Sequence, residues 1–390
     1  CSTQGSLGYK RTWRLTLRIR ITSMALTTVR PEGMGFNTGR RNLIINGAMQ
    51  VAQRGTSSTN SGSYTVDRFQ SVYTGVDENP TQAQVDVASG TTPYSLGFRK
   101  AYRVTNGNQT SGAGTGDIIN YRYIFEAQDI ANSGWDYTSS SSYVTLSFWV
   151  KSSVAQTFYG HMKTFDGTVY NYPFSLGALS ADTWTKVTKT IPGNSGLQID
   201  NDNGQGLEFR IALFYGTDRT ASVTENAWAA YDNTQRTPDN TSTWYTTNDA
   251  TFEITGVQFE VGENASDFEH RSFGEELALC RRYYRQIGPS ITSTAMPLLD
   301  GSTYHATEFQ GTYHCETMRT QPTLSTTGTA SDYEVYTTQG RTASAVPSLD
   351  AQSEPATLDI RVTLSGATAG QGGWLRTRNT SAYLGFDAEL

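Results

Sequence analysis

From Asn42 to Phe273 the sequence repeats one device: a short run in which apolar residues are continuous or alternate with polar ones, closed by a stretch of Gly, Ser, Thr, Asn and Asp. Such runs lie at Asn42–Met49, Tyr64–Tyr73, Phe98–Val104, Ile118–Ile130, Tyr143–Lys151, Thr157–Phe165, Trp184–Ile191, Leu207–Tyr215 and Thr251–Val261. No long 3.6-residue period separates them. Alternation puts successive side chains on opposite faces of a strand, so each run can bury one face only by packing against a second sheet. The pattern predicts an all-β fold built on an antiparallel β-sandwich.

Tyr143–Val150 shows the face assignment most plainly. Val144, Leu146, Phe148 and Val150 form one apolar face and belong to the core. Tyr143, Thr145, Ser147 and Trp149 point the other way. In the next run Tyr159, His161 and Lys163 alternate with Phe158, Gly160 and Met162. If the two runs pair, Tyr143, Trp149, Tyr159 and His161 share a sheet face with small hydroxyls. Flat rings beside hydrogen-bonding groups suit a sugar, whose ring has an apolar face and a polar rim. The competing reading is that a loop or a neighbouring subunit covers this face. A second ring set, Trp135, Trp228, Tyr231, Trp244 and Tyr245, falls in polar, turn-rich stretches and is expected on loops, as a stacking surface or a subunit contact.

Composition removes several function classes. The 390 residues carry a net charge of −6 and only 17% charged side chains, against nucleic-acid binding through an overall field. There is no apolar run of membrane-spanning length. Cys1, Cys280 and Cys315 are too few and too scattered for a disulfide framework or zinc site, and His161, His270, His305 and His314 lack metal-ligand spacing. With 12% aromatics the chain is not of disordered type. Tyr outnumbers Phe, 22 to 16, and Gly reaches 37, the composition of a β-rich extracellular or virion-surface protein.

Charge is uneven. Residues 1–41 hold eight basic side chains and one acid, Glu32. They read as a basic arm and connector that docks on other proteins. Met24 begins a run with the look of a natural start, so residues 1–23 read equally as an artefact of gene-start choice.

Several segments resemble known proteins. Asn42-Leu43-Ile44-Ile45-Asn46-Gly47-Ala48-Met49-Gln50 resembles the first strand of galactose-binding-like, jelly-roll carbohydrate-binding modules. Leu146–Lys151, Trp184–Val187 and Ile254–Gly262 resemble their middle and closing strands. The order of that first segment, then Gln53-Arg54-Gly55, then Tyr64–Phe69, and finally Phe268–Leu277 through Arg281-Arg282-Tyr283-Tyr284, is similar to bacteriophage tail-fibre and appendage proteins. The resemblance implies a virion protein, a jelly roll, a homo-trimer and a host-surface polysaccharide as partner. Such modules often hold a structural calcium through acids after the first strand. Here Ala48 and Gln50 stand at those positions, so no cofactor is expected and calcium is unsupported.

Phe273–Gln286 reads as the one clear helix, with Glu275 and Glu276 in its first turn and Arg281, Arg282 and Arg285 in its last. Cys280 falls on its apolar face as a small core residue. Its functional reading is a junction near a three-fold axis, its plain reading interdomain packing. The expected division is therefore an arm over residues 1–41, a jelly-roll domain over 42–273, a helix and linker over 274–289, and a smaller C-terminal β-sandwich over 290–390 with strands at Tyr304–Thr312, Thr323–Thr326, Tyr333–Thr337, Thr357–Leu364, Gly373–Arg378 and Ala382–Leu390. That last domain competes with the jelly roll as the receptor surface.

Two function classes besides non-cleaving attachment remain open at this level. A tailspike that cuts polysaccharide needs two spaced carboxylates, for which Asp117, Glu126, Asp129 and Asp136 are candidates by number only. A structural capsid or tail decoration needs no ligand. No nucleophile elbow, metalloprotease motif or phosphate loop occurs, so no enzyme is expected.

Overall fold

The computed structural model describes residues 40–289 and 292–390; the expectations for the basic arm up to residue 39 lie outside the described residues. Two six-stranded antiparallel sheets form the first β-body. One runs Ser57–Ser58, Thr81–Asp86, Lys100–Thr105, Thr251–Val261, Tyr143–Ser152, Thr185–Pro192 in spatial order; the other runs Ala229–Ala230, Tyr170–Leu179, Gln156–Thr164, Gln205–Tyr215, Ile118–Glu126, Phe69–Thr74. We call them the front and back sheets. The chain crosses repeatedly between them, as in a jelly roll. The inner faces meet in one core, where Val144, Leu146, Phe148 and Val150 from the front sheet are fully buried with Tyr121, Phe209 and Phe174 from the back. Among the described residues no helix is long and apolar enough to cross a membrane.

Several expectations about local structure are corrected. Asn42–Met49 is buried but not a strand. Its backbone is held by asparagine side chains in place of a ladder: Asn42 Oδ1 accepts from the amides of Ile44 and Phe259, and Asn46 Oδ1 accepts from the Val51 amide. Tyr143–Ser152 and Gln156–Thr164 do not pair, because the short connection between them passes from the front sheet to the back. The helix is Phe273–Cys280, closed at its start by a Ser272/Glu275 capping box. It does not reach Gln286: Tyr284–Ile287 becomes a strand paired with Leu384–Asp387, and Tyr283 is buried with its hydroxyl donating to Glu126 at 2.7 Å. Tertiary pairing outweighs helix propensity there.

The remaining residues form a seven-stranded antiparallel sheet and a three-stranded one over a second core that includes Phe309, Leu358, Ile360, Leu375 and Phe386. The expected strand at Tyr304–Thr312 is instead a hairpin, Pro297–His305 with Glu308–His314. Polar bonds join this part to the sandwich. Arg54 donates to Asp387 and Glu389, each at 3.3 Å, and lies 3.6 Å over the Tyr284 ring. Arg319 donates to the carbonyls of Ala388 and Asn203, each at 2.7 Å. Arg282 and Arg68 reach Glu126 and Glu389. The Arg54, Arg68 and Arg282-Tyr283-Tyr284 segments that stood out in the sequence thus converge on one junction.

Candidate functional site

The outer face of the front sheet carries a cleft of 280 Å³ lined by Leu96, Phe98, Ser147, Trp149, Lys186, Gly256, Ser266, Asp267, Phe268 and His270. Strand register explains the grouping. Trp149 sits opposite Lys186 on one neighbouring strand and Thr255 on the other, and Ser147 lies one pleat away on the same face. The indole is half-buried, packed in an outer apolar cluster with Phe98, Ala101, Trp184 and Phe268.

A break in the central strand shapes the cleft. Register slips between Thr255 and Gln258, and Gly256 takes φ +63°. A side chain there would strike the Phe98 ring, with a Cβ 2.6 Å from its ζ carbon, so glycine leaves the room that the Phe98 ring occupies. The displaced backbone at Val257 is satisfied from the buried first segment: its N–H donates to Gly47 O at 2.9 Å, and its carbonyl accepts from Asn42 Nδ2 at 3.0 Å. Gly47 passes so close that an added Cβ would be 2.1 Å from the Val257 oxygen. The Asn42 and Asn46-Gly47 pattern therefore supports the floor of the cleft, and Ala48 packs with Val87 and Phe98 beneath it.

One wall is the segment Ser266–His270. Phe98, Phe268 and His270 form a three-ring cluster with centroids 4.9–5.1 Å apart. His270 Nε2 sits 2.9 Å from the Leu96 carbonyl, which fixes the imidazole as a donor at that nitrogen. Glu269 and Arg271 turn away to anchor the first segment: Glu269 accepts from the Asn42 amide at 2.7 Å, and Arg271 donates to the Ile44 carbonyl at 3.1 Å. The rim combines an exposed ammonium at Lys186, an exposed carboxylate at Asp267 and the hydroxyls of Ser147 and Ser266 around an indole. This set can stack a planar apolar surface and hydrogen-bond its edges; it contains no pair of carboxylates. Among the described residues no group of three or more His, Cys, Asp or Glu side chains is placed to hold a metal.

The expected ring sets are separated. Tyr143 shares the outer front face with Trp149, but six residues along the strand, about 20 Å at ~3.3 Å per residue. Tyr159 and His161 lie on the back sheet. His161 is no ligand contact: it is buried between Asn171 Oδ1 at 2.7 Å and the Tyr215 hydroxyl at 3.3 Å, beneath the segment that carries Tyr231 and Arg236. Burial, with Arg210 adding, pushes its pKa down to about 3. Tyr231 lies under Lys163 Nζ, 4.6 Å from the ring centre.

The loop expectation for Trp135, Trp244 and Tyr245 is corrected. All three are buried in the core. The short helix Thr243–Thr246 inserts Trp244 and Tyr245 into one end of the sandwich. Burial is tolerated because each polar group finds a partner: Trp244 Nε1 donates to Thr251 O at 3.1 Å, Tyr245 OH to Asp117 at 2.8 Å, and Trp135 Nε1 to Ser142 O at 3.3 Å. Trp228 is half-buried against Tyr172 and donates to Pro192 O at 2.7 Å. Of the rings expected from the sequence, Trp149 lies in this cleft; its neighbours Phe98, Lys186, Phe268 and His270 were not among the expected residues. Lys186-Val187-Thr188 alternates as Trp149 does and was a usable signal; Phe98 and Phe268 lie far apart in sequence and meet only through the fold.

No family model matches the chain, and no curated protein matches it. Among solved structures, the chain is similar to the enzymatically active domain of bacteriophage CBA120 tailspike protein 4, at 12% identity and TM-score 0.30 over 57% of this chain, spanning only 21% of that one. It is also similar to the family 11 carbohydrate-binding module from Clostridium thermocellum in complex with a mixed-linked tetrasaccharide, at 13% identity and TM-score 0.24 over 55% of this chain and 98% of that one. The N-terminal cellulose-binding domain of Cellulomonas fimi β-1,4-glucanase C gives 11% identity and TM-score 0.27 over 54% and 97%.

Proposed function

We propose that the chain is a bacteriophage appendage protein that attaches the virion to a host-surface polysaccharide without cleaving it, and that it acts as a homo-trimer. The observation that carries the binding role is the half-buried Trp149 in a cleft ringed by Lys186, Ser147, Asp267 and His270. An indole held at its edges and open on one side suits a sugar ring, and the polar rim suits its hydroxyls. The virion setting and the trimer rest on the resemblance of the Gln53–Gly55, Tyr64–Phe69 and Phe268–Tyr284 segments to phage appendages. Absence of cleavage is supported by the employment of the four acids considered for hydrolysis. Asp117 accepts from Tyr245, Glu126 from Arg282 and Tyr283, Asp129 from Arg40, and Asp136 from Thr138.

A glycan-array screen of the full chain tests the reading. We expect binding to a bacterial surface polysaccharide, weakened roughly tenfold by Trp149→Ala with the fold retained. No bound glycan, or equal binding by the variant, overturns it. Shortening of the bound polysaccharide on prolonged incubation overturns the non-cleaving part, and a monomeric mass by light scattering overturns the trimer.

A further inference from the structure

We infer that the outer face of the seven-stranded sheet is a second, independent binding site, for a neutral polysaccharide. The face is ordered by register. Tyr336, Trp374 and Asp300 lie side by side across three strands, and Gly372, Ser302, Gln310 and Arg361 form the parallel row one pleat away across four. Trp374 is 45% exposed, unusual for so large an apolar side chain. It is nevertheless fixed: its ring stacks on Tyr336 with centroids 5.9 Å apart and planes 11° from parallel. Arg376 in turn lies 4.1 Å over Tyr336 and donates to Glu334 at 2.7 Å. An aromatic platform held in place this way loses little side-chain freedom when a ligand stacks on it.

Next to the platform is a groove of 590 Å³ lined by Asp300, Ser302, Gln310, Thr312, Asp359 and Arg361, among others. Between platform and groove, the position paired with Ser302 is Gly372, which carries no side chain to stand between them. From the Trp374 strand to the Arg361 strand the lane is three inter-strand spacings wide, about 14 Å. The Asp300 carboxylate, directly across from Trp374, takes no protein donor among the described residues and is free to accept from a ligand. Opposite it, Arg361 is already engaged by Asp350 and Glu308.

Chemistry selects the occupant. A flat exposed ring beside a free carboxylate and a row of hydroxyl and amide groups matches a pyranose, apolar on its face and hydroxylated at its edge. A protein interface would want a charge-depleted apolar centre, which this groove lacks. Asp300, Asp350 and Asp359 outnumber the single, already paired Arg361, so a polysaccharide bearing carboxylates or sulfates would meet like charge. The site shares no residue with the Trp149 cleft and does not depend on its role.

Affinity electrophoresis of the full chain tests this, using gels cast with the neutral polysaccharides dextran, galactomannan and laminarin, and with anionic alginate. The wild type, Trp149→Ala, Trp374→Ala and the double variant are compared, with circular dichroism to verify folding and Trp374→Phe as the variant that keeps a ring. We expect Trp149→Ala to remain retarded by at least one neutral gel, Trp374→Ala in that background to lose the retardation roughly tenfold, Trp374→Phe to keep most of it, and alginate to give none. Retardation lost in Trp149→Ala alone, no retardation by any neutral gel, or retardation by alginate that Trp374→Ala removes would each overturn the proposal. So would unchanged retardation with a lower oligomeric mass, which would make the platform a contact between copies. If Trp149→Ala has no effect while Trp374→Ala does, this site stands and the front-sheet reading fails.

Discussion

The guanidinium of Arg68 lies 3.5 Å from the centre of the Tyr283 ring, and both residues are almost wholly removed from solvent. The same guanidinium reaches Glu389, only one residue from the end of the chain, and donates to the Ile124 carbonyl at 2.6 Å. Burial works against its charge, but the Glu389 carboxylate and the surrounding tyrosines hold it protonated. Breaking a buried pair leaves one charge uncompensated, at a cost of about 3–5 kcal/mol. We therefore expect Glu389→Ala to destabilise the protein by that order, read from denaturant midpoints. Unchanged midpoints would show that water replaces the carboxylate.

His161 supplies a pH dependence. Its pKa is about 3 in the folded chain, below the unfolded value, so the unfolded state binds the extra proton first as pH falls. The neutral ring's contribution is complete above about pH 6.5 and is lost between there and pH 3, by at most about 1.4 kcal/mol per pH unit. His161→Gln should flatten this part of the profile relative to wild type, with Asn171 and Tyr215 still offered a polar partner. Parallel profiles from pH 7 to 5 would refute it.

The buried and half-buried tryptophans should separate cleanly. Trp244→Ala opens a cavity in the core and removes a donor to Thr251, so a loss of about 3–5 kcal/mol in stability is expected. Trp149→Ala should cost far less stability and act on glycan binding. Thermal unfolding of the two variants side by side checks this.

Gly256→Ala tests how the cleft is built. The added methyl forces Phe98 to move and strains a positive-φ position. We expect about 1–3 kcal/mol of destabilisation together with weaker binding at the Trp149 cleft. Full stability and full binding would mean that the Gly256 conformation is incidental.

Metal should be dispensable. Ala48 is packed against Val87 and Phe98, where a liganding acid would have to sit. Addition of EDTA is expected to leave the melting temperature unchanged; a fall of several degrees would reveal a bound ion, since a ligand of the native state stabilises it by mass action.

What could be read from the sequence follows the range of the forces involved. Val144, Leu146, Phe148 and Val150 announced their face because strand alternation is local, and Thr251–Val261 carried both its ends in its own residues. The pairing of Tyr143–Ser152 could not be read, because which sheet a strand joins is decided by distant partners. Trp244 and Tyr245 misled for a related reason: a polar neighbourhood in sequence did not disclose that Asp117, Asn106 and Thr251 would satisfy their surroundings inside the core. The helix start at Phe273 was legible because its first-turn acids Glu275 and Glu276 are a local signal, and its end was overextended past Cys280 to Gln286, where the strand Leu384–Asp387 claims the backbone.

The arginine-rich junction also has a mechanical meaning. If the sandwich grips one stretch of polysaccharide and the seven-stranded sheet another, tension between them is shared by the covalent link after Cys280 and the bonds of Arg54, Arg68, Arg282 and Arg319. Bonds to carbonyls and carboxylates on both sides of that seam resist twisting as well as pulling, whereas a flexible tether would let the two surfaces swing apart. The two grips would then keep a fixed spacing and angle, and the protein would favour surfaces whose chains present that same repeat, acting as a gauge of polymer geometry in addition to sugar chemistry.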